Sequence, residues 1–315
     1  MLSDHHLFKL EITDLPGGLE VPYVRINGEK DGPRITILAG VHGAEYPGMQ
    51  AVRRFINSAD PAQLSGTITA VPVVSVAMFW ERAAFVTPAD GKNPNRNFPG
   101  DPAGSFTEIF AHSIFKTFIE GADYLLDLHG GDLPEALEPV VIYSDGATAD
   151  VSSGLAKAYG LEHIIRMGAE DVPGSTDGAA EAIGVPAIIA EAGGNGLTSE
   201  AAVALHERGI ENVLRHLSML PGEVVPPERQ TEYPEGWAWS TAPSAGWWDP
   251  VVELGKPIEE NALLGTISDL YGRVLHEIRA PHAGTALCLT SSPAVKQNGL
   301  LVAVTRGHGG SVLHD

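Results

Sequence analysis

The sequence contains a single cysteine, Cys288, among 315 residues. One cysteine cannot form an intrachain disulfide, so the fold does not require an oxidising compartment. The same scarcity excludes a zinc site built from several cysteines and a Cys-x-x-Cys redox pair. A metal site in this chain would therefore rely on nitrogen and oxygen ligands.

Basic residues are also scarce, because 20 Lys and Arg stand against 40 Asp and Glu, which gives a formal net charge of −20 at pH 7. An acidic surface repels phosphate backbones and anionic lipid headgroups. We therefore expect neither nucleic acid nor an anionic membrane as a partner. The alternative interpretation is that the charge only keeps the protein in solution.

Long hydrophobic runs are missing as well, since no apolar stretch approaches the ~18 residues that could span a bilayer. Residues 1–6 have neither the basic segment nor the apolar segment of a signal peptide. We therefore expect a cytoplasmic protein. The hydrophobic fraction of 43% is typical of a globular protein, and the length predicts one large domain, or one of about 200 residues with a smaller one.

Strand-like and helix-like segments alternate over the first two-thirds of the chain. Buried strands are predicted over 34–39, 123–128 and 186–190, and helical spacing of apolar residues predicts helices over 46–58 and 198–220. Such alternation is typical of an α/β sheet with helices on both faces.

The pattern changes after Pro221 and Gly222, where a Pro- and Glu-rich stretch is followed by short strand-like segments without a clear helix. We therefore predict two domains, with boundaries 1–222 for the α/β part and 223–315 for a small all-β part.

Polar side chains follow three of the predicted strands. His42 and Glu45 come after the strand over 34–39, His129 follows the strand over 123–128, and Glu191 follows the strand over 186–190. Ligands bind at the carboxyl ends of parallel strands, so these side chains are expected to converge. Taken singly, each histidine is better explained as an ordinary loop residue; the shared position after strands favours a site.

This combination of side chains suits a metal-assisted hydrolysis. Two histidines and a glutamate, with the fourth position left for water, form a known catalytic zinc pattern. The bound metal lowers the pKa of its water toward ~7. A further carboxylate outside the ligand set can take the proton of that water and later protonate a leaving group.

A long loop-like segment over 80–101 is the next predicted site element. It carries Arg82 and a polar cluster of Asn95, Arg96 and Asn97. A guanidinium can bind a substrate carboxylate through two hydrogen bonds, or stabilise a developing oxyanion. The alternative is a surface loop tied by salt bridges to the many acidic residues.

Four motifs together resemble the succinylglutamate desuccinylase/aspartoacylase family, which has a zinc-carboxypeptidase-like fold. They are HGAE at 42–45, NPNRNFPGD at 93–101, DLHGG at 127–131 and IIAEAGG at 188–194. The resemblance covers about residues 30–220 and implies a mixed sheet with helices on both faces. It identifies residues 1–222 as a zinc-dependent catalytic domain.

The resemblance also implies roles for individual residues. One zinc ion per chain would be held by His42, Glu45 and His129, with Glu191 as general base and acid. The resemblance places Arg82 near the scissile carbonyl oxygen, and Asn95 and Arg96 at the substrate carboxylate. It implies that Asp127 orients His129.

The family hydrolyses an N-acyl amino acid to an amine and a carboxylic acid, which is the activity that the resemblance implies here. The family often has Asp-Leu-Asn-Arg where this chain has Asn93-Pro94-Asn95-Arg96, so the acyl group and the amino acid stay open. The most similar branch includes deacetylases of N-acetyl-diaminobutyrate. A cationic substrate amine would suit an acidic pocket.

The C-terminal segment resembles the barrel-sandwich domain of biotin and lipoyl carriers. The lysines of the segment, Lys256 and Lys296, do not lie in a carrier motif, so we expect no prosthetic group. The domain is expected to shape or cover the active site, or to mediate assembly, and a homo-oligomer stays open. Four of the five tryptophans lie over 237–248, which indicates either a packed core or an aromatic ligand patch.

Two other functions compete with the deacylase. A metallocarboxypeptidase on the same scaffold could use the Asn and Arg set to hold a peptide C-terminus. A non-catalytic zinc-binding protein could have kept the fold without the reaction.

Overall fold

The structure, a computed structural model, describes residues 5–10, 19–168 and 171–312. These residues form strands β1–β19 and α-helices α1–α6 in the following chain order: β1 His5–Leu10, β2 Leu19–Asn27, β3 Lys30–Ala39, α1 Tyr46–Ser58, β4 Ser65–Val71, α2 Val76–Glu81, α3 Phe106–Ile114, β5 Tyr124–His129, β6 Glu135–Leu137, β7 Val140–Ser144, α4 Ala149–Tyr159, β8 His163–Met167, α5 Thr176–Glu181, β9 Ala187–Glu191, α6 Glu200–His216, β10 Thr231–Tyr233, β11 Trp237–Thr241, β12 Gly246–Pro250, β13 Pro257–Ile258, β14 Leu263–Ser268, β15 Val274–Arg279, β16 Gly284–Thr290, β17 Ala294–Val295, β18 Leu300–Thr305 and β19 Gly310–Ser311.

The largest sheet has ten strands in the order β1-β2-β4-β3-β5-β9-β7-β8-β10-β19. Its centre, β4-β3-β5-β9, is parallel, whereas β7 runs antiparallel to β9 and β2 runs antiparallel to β4. The sheet is therefore mixed, as the resemblance implied. The parallel centre brings the carboxyl ends of β3, β5 and β9 to one edge.

Helices cover both faces of this sheet because neighbouring residues on a strand point to opposite sides. Ile37 belongs to a core with Val52 of α1 and Ile210 of α6. The next residue, Leu38, belongs to a second core with Phe110 of α3. The predicted layers of an α/β protein are thus present.

The helix bounds agree well with the sequence pattern at α1 and less well at α6. Helix α1 occupies the predicted residues 46–58, and Pro47 lies in its first turn, where the missing N–H has no cost. For helix α6 the apolar spacing predicts residues 198–220. It spans Glu200–His216 instead, and Ser199 is the residue at its N-cap position.

The C-terminal segment contains two smaller antiparallel sheets. One has the order β11-β18-β16-β13 and the other β15-β14-β12-β17. They share a core in which Trp248 packs with Leu264 and Val302. The packed-core interpretation therefore holds for Trp248, whereas Trp247 is exposed.

The two parts of the chain are joined by strand pairing in both directions. Strand β6 pairs with β16 of the C-terminal segment, with Leu137 opposite Cys288. The short strands β10 and β19, which follow residue 222, extend the large sheet. Each of the two regions separated by the predicted boundary at 222/223 therefore contributes a strand to a sheet of the other region. Within the described residues, no helix combines the length and the apolar character that crossing a membrane requires.

Candidate active site

Three side chains with metal-binding groups meet at the carboxyl edge of the large sheet. His42 and Glu45 lie on the turn between β3 and α1, and His129 is the last residue of β5. All three are buried. One ligand atom from each lies within 4.8 Å of the others.

The turn that carries His42 and Glu45 depends on glycine. Gly40 has a φ of +72°, a conformation that favours glycine. At Gly43 a Cβ atom would lie 2.4 Å from the backbone of Met78 on α2. The turn can therefore pack closely against α2 only without a side chain at this position.

The carboxylate of Glu45 lies between the two histidines. Its Oε1 is 2.8 Å from Nδ1 of His42, and its Oε2 is 2.7 Å from Nδ1 of His129. Gly130 also donates its N–H to Oε2 at 3.2 Å. Burial raises the pKa of Glu45, but positive charge on the two imidazoles, when they are protonated, outweighs this effect and lowers the pKa to about 2.

The outer nitrogen of each imidazole faces an oxygen acceptor. Nε2 of His42 is 2.9 Å from Oδ1 of Asn93, and this oxygen also accepts the N–H of Asn95. Nε2 of His129 is 3.0 Å from Oδ2 of Asp127. These contacts favour a proton on each Nε2, which leaves a lone pair on each Nδ1.

This arrangement fits a cation between the three residues. With protons on both Nε2 atoms, two nitrogen lone pairs face the oxygens of one carboxylate, and these acceptors repel one another unless a positive charge lies between them. Protonating both rings would place two imidazolium groups with centroids 5.1 Å apart in a buried site. A metal ion satisfies all three acceptors at once, and two imidazoles with one carboxylate suit zinc.

A further hydrogen-bonded residue connects the two histidine partners. Thr176, at the start of α5, donates its hydroxyl to Oδ2 of Asp127. Its backbone N–H donates to Oδ1 of Asn95 at 2.9 Å. Because Asn95 donates to Asn93, the outer partners of both histidines belong to one buried network.

Glu191 lies next to this group as the last residue of β9. It pairs in register with His129 across β5 and β9. Its Oε2 is buried and has no hydrogen-bond partner within the described residues. Burial, with some opposition from His129, raises the pKa of Glu191 well above its usual range. The carboxylate is therefore suited to receive a proton.

A cavity of about 520 Å³ opens above these groups. Asn95 and Arg96 line it. Asn95 is buried, whereas Arg96 keeps contact with solvent. Removal of water by the surrounding protein lowers the pKa of Arg96, and nearby carboxylates, Glu191 first, oppose that change.

The structure does not bring Arg82 to this cavity. Arg82 follows the short helix α2 with a φ of +52° and lines a separate surface cavity with Tyr46 and Trp80. The sequence pattern missed α2 and treated its end as part of a loop, so the direction of Arg82 could not be derived. Its implied position at the scissile carbonyl has no support from this placement.

The C-terminal segment forms one wall of the cavity. Trp237 and Trp239 of β11, Cys288 of β16 and Arg306 after β18 all line it. The rings of the two tryptophans pack edge to face at a centroid distance of 6.3 Å. The expectation that this segment shapes the site therefore agrees with the geometry, and two of the clustered tryptophans face the cavity.

Several cavity and network residues were not identified from the sequence. Asn93 lies inside a motif in which the sequence analysis assigned roles only to Asn95 and Arg96. Thr176 and Asp177 begin α5, and the eight residues of sequence between β8 and α5 contain no histidine. The sequence feature that could have pointed to these two residues is the run Ser-Thr-Asp at a helix start. Ordinary N-capping explains this run as well as a functional site does.

Comparisons with known proteins agree with these observations. Residues 31–217 match the family described as succinylglutamate desuccinylase/aspartoacylase catalytic domain. The N-alpha-acetyl-L-2,4-diaminobutyric acid deacetylase of Halomonas elongata is 28% identical over 311 residues, which are 95% of this chain and 90% of that protein.

Solved structures extend the similarity to the C-terminal segment. A succinylglutamate desuccinylase from Silicibacter sp. TM1040 superposes with a TM-score of 0.84 at 23% identity, over 96% of this chain and 95% of the other. The apo ectoine utilization protein EutE (DoeB) from Ruegeria pomeroyi gives a TM-score of 0.80 at 27% identity, over 96% and 95% of the two chains.

Proposed function

Because the chain belongs to the succinylglutamate desuccinylase/aspartoacylase family, we propose that it is a zinc-dependent deacylase that hydrolyses the amide bond of a small N-acylated amino acid. The observation that carries the proposal is the meeting of His42, Glu45 and His129 beside the unpartnered carboxylate of Glu191. The cavity volume of about 520 Å³ is within the range of small-molecule sites.

The proposed ligands of the metal are Nδ1 of His42, the carboxylate of Glu45 and Nδ1 of His129. Zinc bound there would act as a Lewis acid toward the amide carbonyl and would lower the pKa of a water molecule toward ~7. Such a ligand set also accepts cobalt or manganese. Asp127 and Asn93 hold the outer nitrogens of the two rings and so keep both Nδ1 atoms directed at the same point.

Glu191 is the proposed general base and acid. It takes a proton from the attacking water as the oxygen–carbon bond forms, and it gives that proton to the amide nitrogen as the carbon–nitrogen bond breaks. The products are a carboxylic acid and a free amine. The raised pKa of Glu191 supports this role, because it favours the protonated form that must later donate its proton to the leaving nitrogen.

Asn95 and Arg96 are the proposed binding groups for the carboxylate of the amino acid. Oδ1 of Asn95 is occupied by the N–H of Thr176, and this contact leaves the amide NH₂ for a ligand. A planar guanidinium matches a carboxylate through two hydrogen bonds. Arg82 has no part in this proposal because it lines a different cavity.

The first substrate to test is N-alpha-acetyl-L-2,4-diaminobutyrate. The Halomonas elongata relative is named for the deacetylation of this compound. The acidic character of the cavity lining in this chain supports the same choice, since the free amine of that substrate carries a positive charge.

A metallocarboxypeptidase is the second candidate function. Arg96 and Asn95 could hold the C-terminal carboxylate of a peptide in the same way. Trp237 and Trp239 line the same cavity, and its volume of about 520 Å³ suits a small substrate. A non-catalytic zinc-binding role would leave the unpartnered carboxylate of Glu191 without a purpose.

The test is a substrate panel with the zinc-loaded protein. N-acetyl and N-succinyl amino acids are compared with dipeptides of the same C-terminal residues, and the released amine is measured. Hydrolysis of acyl amino acids at a kcat/KM well above that for dipeptides supports the deacylase. Preference for dipeptides would favour the carboxypeptidase, and no hydrolysis of any compound despite bound zinc would favour the non-catalytic role.

A further inference from the structure

The charged groups that line the catalytic cavity are mostly acidic. Among the lining residues that the structure describes there are five carboxylates and two guanidinium groups. The carboxylates are Glu45, Glu135, Asp171, Asp177 and Glu191, and the guanidinium groups are Arg96 and Arg306. A substrate with one carboxylate finds a partner in Arg96, whereas a second carboxylate would meet mainly negative charge.

Four of the five carboxylates have a proposed role in the reaction, face a basic side chain or are only partly ionised. Glu45 belongs to the proposed metal site, and Glu191 is the proposed base. Asp171 faces Arg306, with its Oδ1 at 3.9 Å from Nη2. Burial raises the pKa of Glu135 to about 7, so at neutral pH this group is only partly ionised.

Asp177 is the carboxylate that remains. It lies in the first turn of α5 and is 3% exposed. The hydroxyl of Ser144 donates to its Oδ2 at 2.7 Å. Burial raises the pKa of Asp177, and hydrogen bonds from Ser175, Ser144 and the N–H of Gly178 lower it, with no basic side chain among these main influences. The site thus supplies hydrogen-bond donors to this buried carboxylate, and among the residues that the structure describes no basic side chain forms an ion pair with it.

Arg96 connects this carboxylate with the proposed chemistry. Arg96 lines the same cavity as Glu191 and Asp177, and the negative charges of both carboxylates oppose the lowering of its pKa. Neither forms an ion pair with it among the residues that the structure describes. Because the three residues line one cavity, a substrate whose amide lies at Glu191 and whose carboxylate lies on Arg96 can direct its side chain toward Asp177.

We propose that Asp177 binds an ammonium group at the end of a short substrate side chain. Asp177 would then be the residue that selects N-acylated diamino acids over N-acylated dicarboxylic amino acids, because it repels a second carboxylate. This inference rests on the proposed deacylase function. It adds the residue that selects among the acyl amino acids that such an enzyme could accept.

The experiment compares three N-acetyl amino acids of similar size in the zinc-loaded full-length protein. N-alpha-acetyl-2,4-diaminobutyrate ends in an ammonium group, N-acetylnorvaline in a methyl group and N-acetylglutamate in a carboxylate. We expect kcat/KM to fall in that order, by at least about 30-fold from the first to the second, because a buried charge left unpaired is costly.

Asp177→Asn tests the residue itself. We expect the ratio of kcat/KM for the ammonium substrate over the norvaline substrate to fall by about 10- to 100-fold. Asp171→Asn removes another carboxylate of the same cavity and is the matched control, for which the ratio changes by less than about threefold. An equal loss for both substrates in Asp177→Asn would mean that Asp177 only positions Arg96, and would overturn the inference.

Two further measurements keep the inference separate from the proposed function and from folding defects. Calorimetric binding of free 2,4-diaminobutyrate and of norvaline to the zinc-loaded protein needs no turnover, and we expect the diamino acid to bind at least about tenfold more tightly. Ser144→Ala removes a donor from Asp177 without altering its charge, and should reduce that preference even if Asp177→Asn does not fold. Hydrolysis of all three substrates without preference contradicts the inference alone, whereas selective binding without any hydrolysis contradicts the deacylase alone.

Discussion

His129 and Glu191 are register partners at the ends of the adjacent parallel strands β5 and β9. A proposed metal ligand and the proposed base are therefore held by the same ladder of backbone hydrogen bonds. The backbone fixes the relative positions of the two Cα atoms, and the relation does not depend on a loop. A substitution at Glu191 that keeps its shape should leave the metal ligands in place.

Asp127 is predicted to determine how tightly the metal is held. Asp127→Asn weakens the acceptor at Nε2 of His129, and loss of such a partner lowers metal affinity by about 10- to 100-fold. The measurement is competition for zinc with a chelator of known affinity. Asp123→Asn, at a surface ion pair with Arg34 just before the same strand, is the control. Unchanged zinc affinity in Asp127→Asn would show that the contact does not orient His129.

Thr176 is predicted to act through its hydroxyl. Thr176→Val keeps the shape of the side chain but removes the hydrogen bond to Asp127, so zinc affinity should fall by a smaller factor, about 3- to 10-fold. Thr176→Ser keeps the hydroxyl and should retain nearly the wild-type affinity. The same chelator competition distinguishes the two variants, and equal affinities would rule out a part for this hydroxyl.

Arg96 and Arg82 are predicted to differ sharply in their effect on substrate binding. Arg96→Lys loses the two-point match to a carboxylate, so the KM for an N-acetyl amino acid should rise by about 10-fold or more. Arg82→Lys should change KM and kcat by less than about twofold, because Arg82 lines a separate cavity. Steady-state kinetics of both variants test the contrast. A large loss of kcat in the Arg82 variant would restore the role that the family resemblance implied.

His206 is predicted to make the fold sensitive to mild acid. Its Nδ1 lies 2.7 Å from the hydroxyl oxygen of Tyr159, and burial lowers its pKa to about 4, against partial opposition from the backbone at Ala192 and His129. The unfolded chain takes up this proton near pH 6.5, whereas the folded chain does so only near pH 4. The contribution of His206 to the free energy of unfolding is therefore almost complete at neutral pH. It is lost as the pH falls from about 6.5 to about 4.

The expected size of this effect is about 2 kcal/mol between pH 7 and pH 5. Urea unfolding of the wild type and of His206→Gln at both pH values measures it. The wild type should lose about 2 kcal/mol more than the variant over this interval. Parallel losses in the two proteins would mean that His206 is not held neutral in the fold.

Much of the site could be predicted because its main residues lie at strand ends. Buried apolar runs predict β3, β5 and β9 from local sequence, and parallel strands necessarily bring their carboxyl ends together. The convergence of His42, His129 and Glu191 follows from these two facts. Local pattern and sheet geometry were sufficient for this part of the site.

The rest depends on contacts between distant segments that local patterns do not encode. Asn93 meets His42 only because its loop folds back over the sheet edge, and Asp177 reaches the cavity from a helix start with no distinctive motif. The wall from the C-terminal segment depends on the pairing of β6 with β16. The cavity that Arg82 lines could not be predicted because α2, only six residues long, carries too little periodicity to be recognised.

The most direct test of the central claim is Glu191→Gln, with metal content and hydrolysis measured on the same preparations. Glu135→Gln, a second carboxylate of the cavity, is the matched control. We predict about one zinc per chain in the wild type and in both variants. Hydrolysis of N-alpha-acetyl-L-2,4-diaminobutyrate should fall by about 10²–10⁴-fold only in Glu191→Gln. A wild-type protein without metal at this site, or a Glu191→Gln variant that hydrolyses at the wild-type rate, would contradict the account.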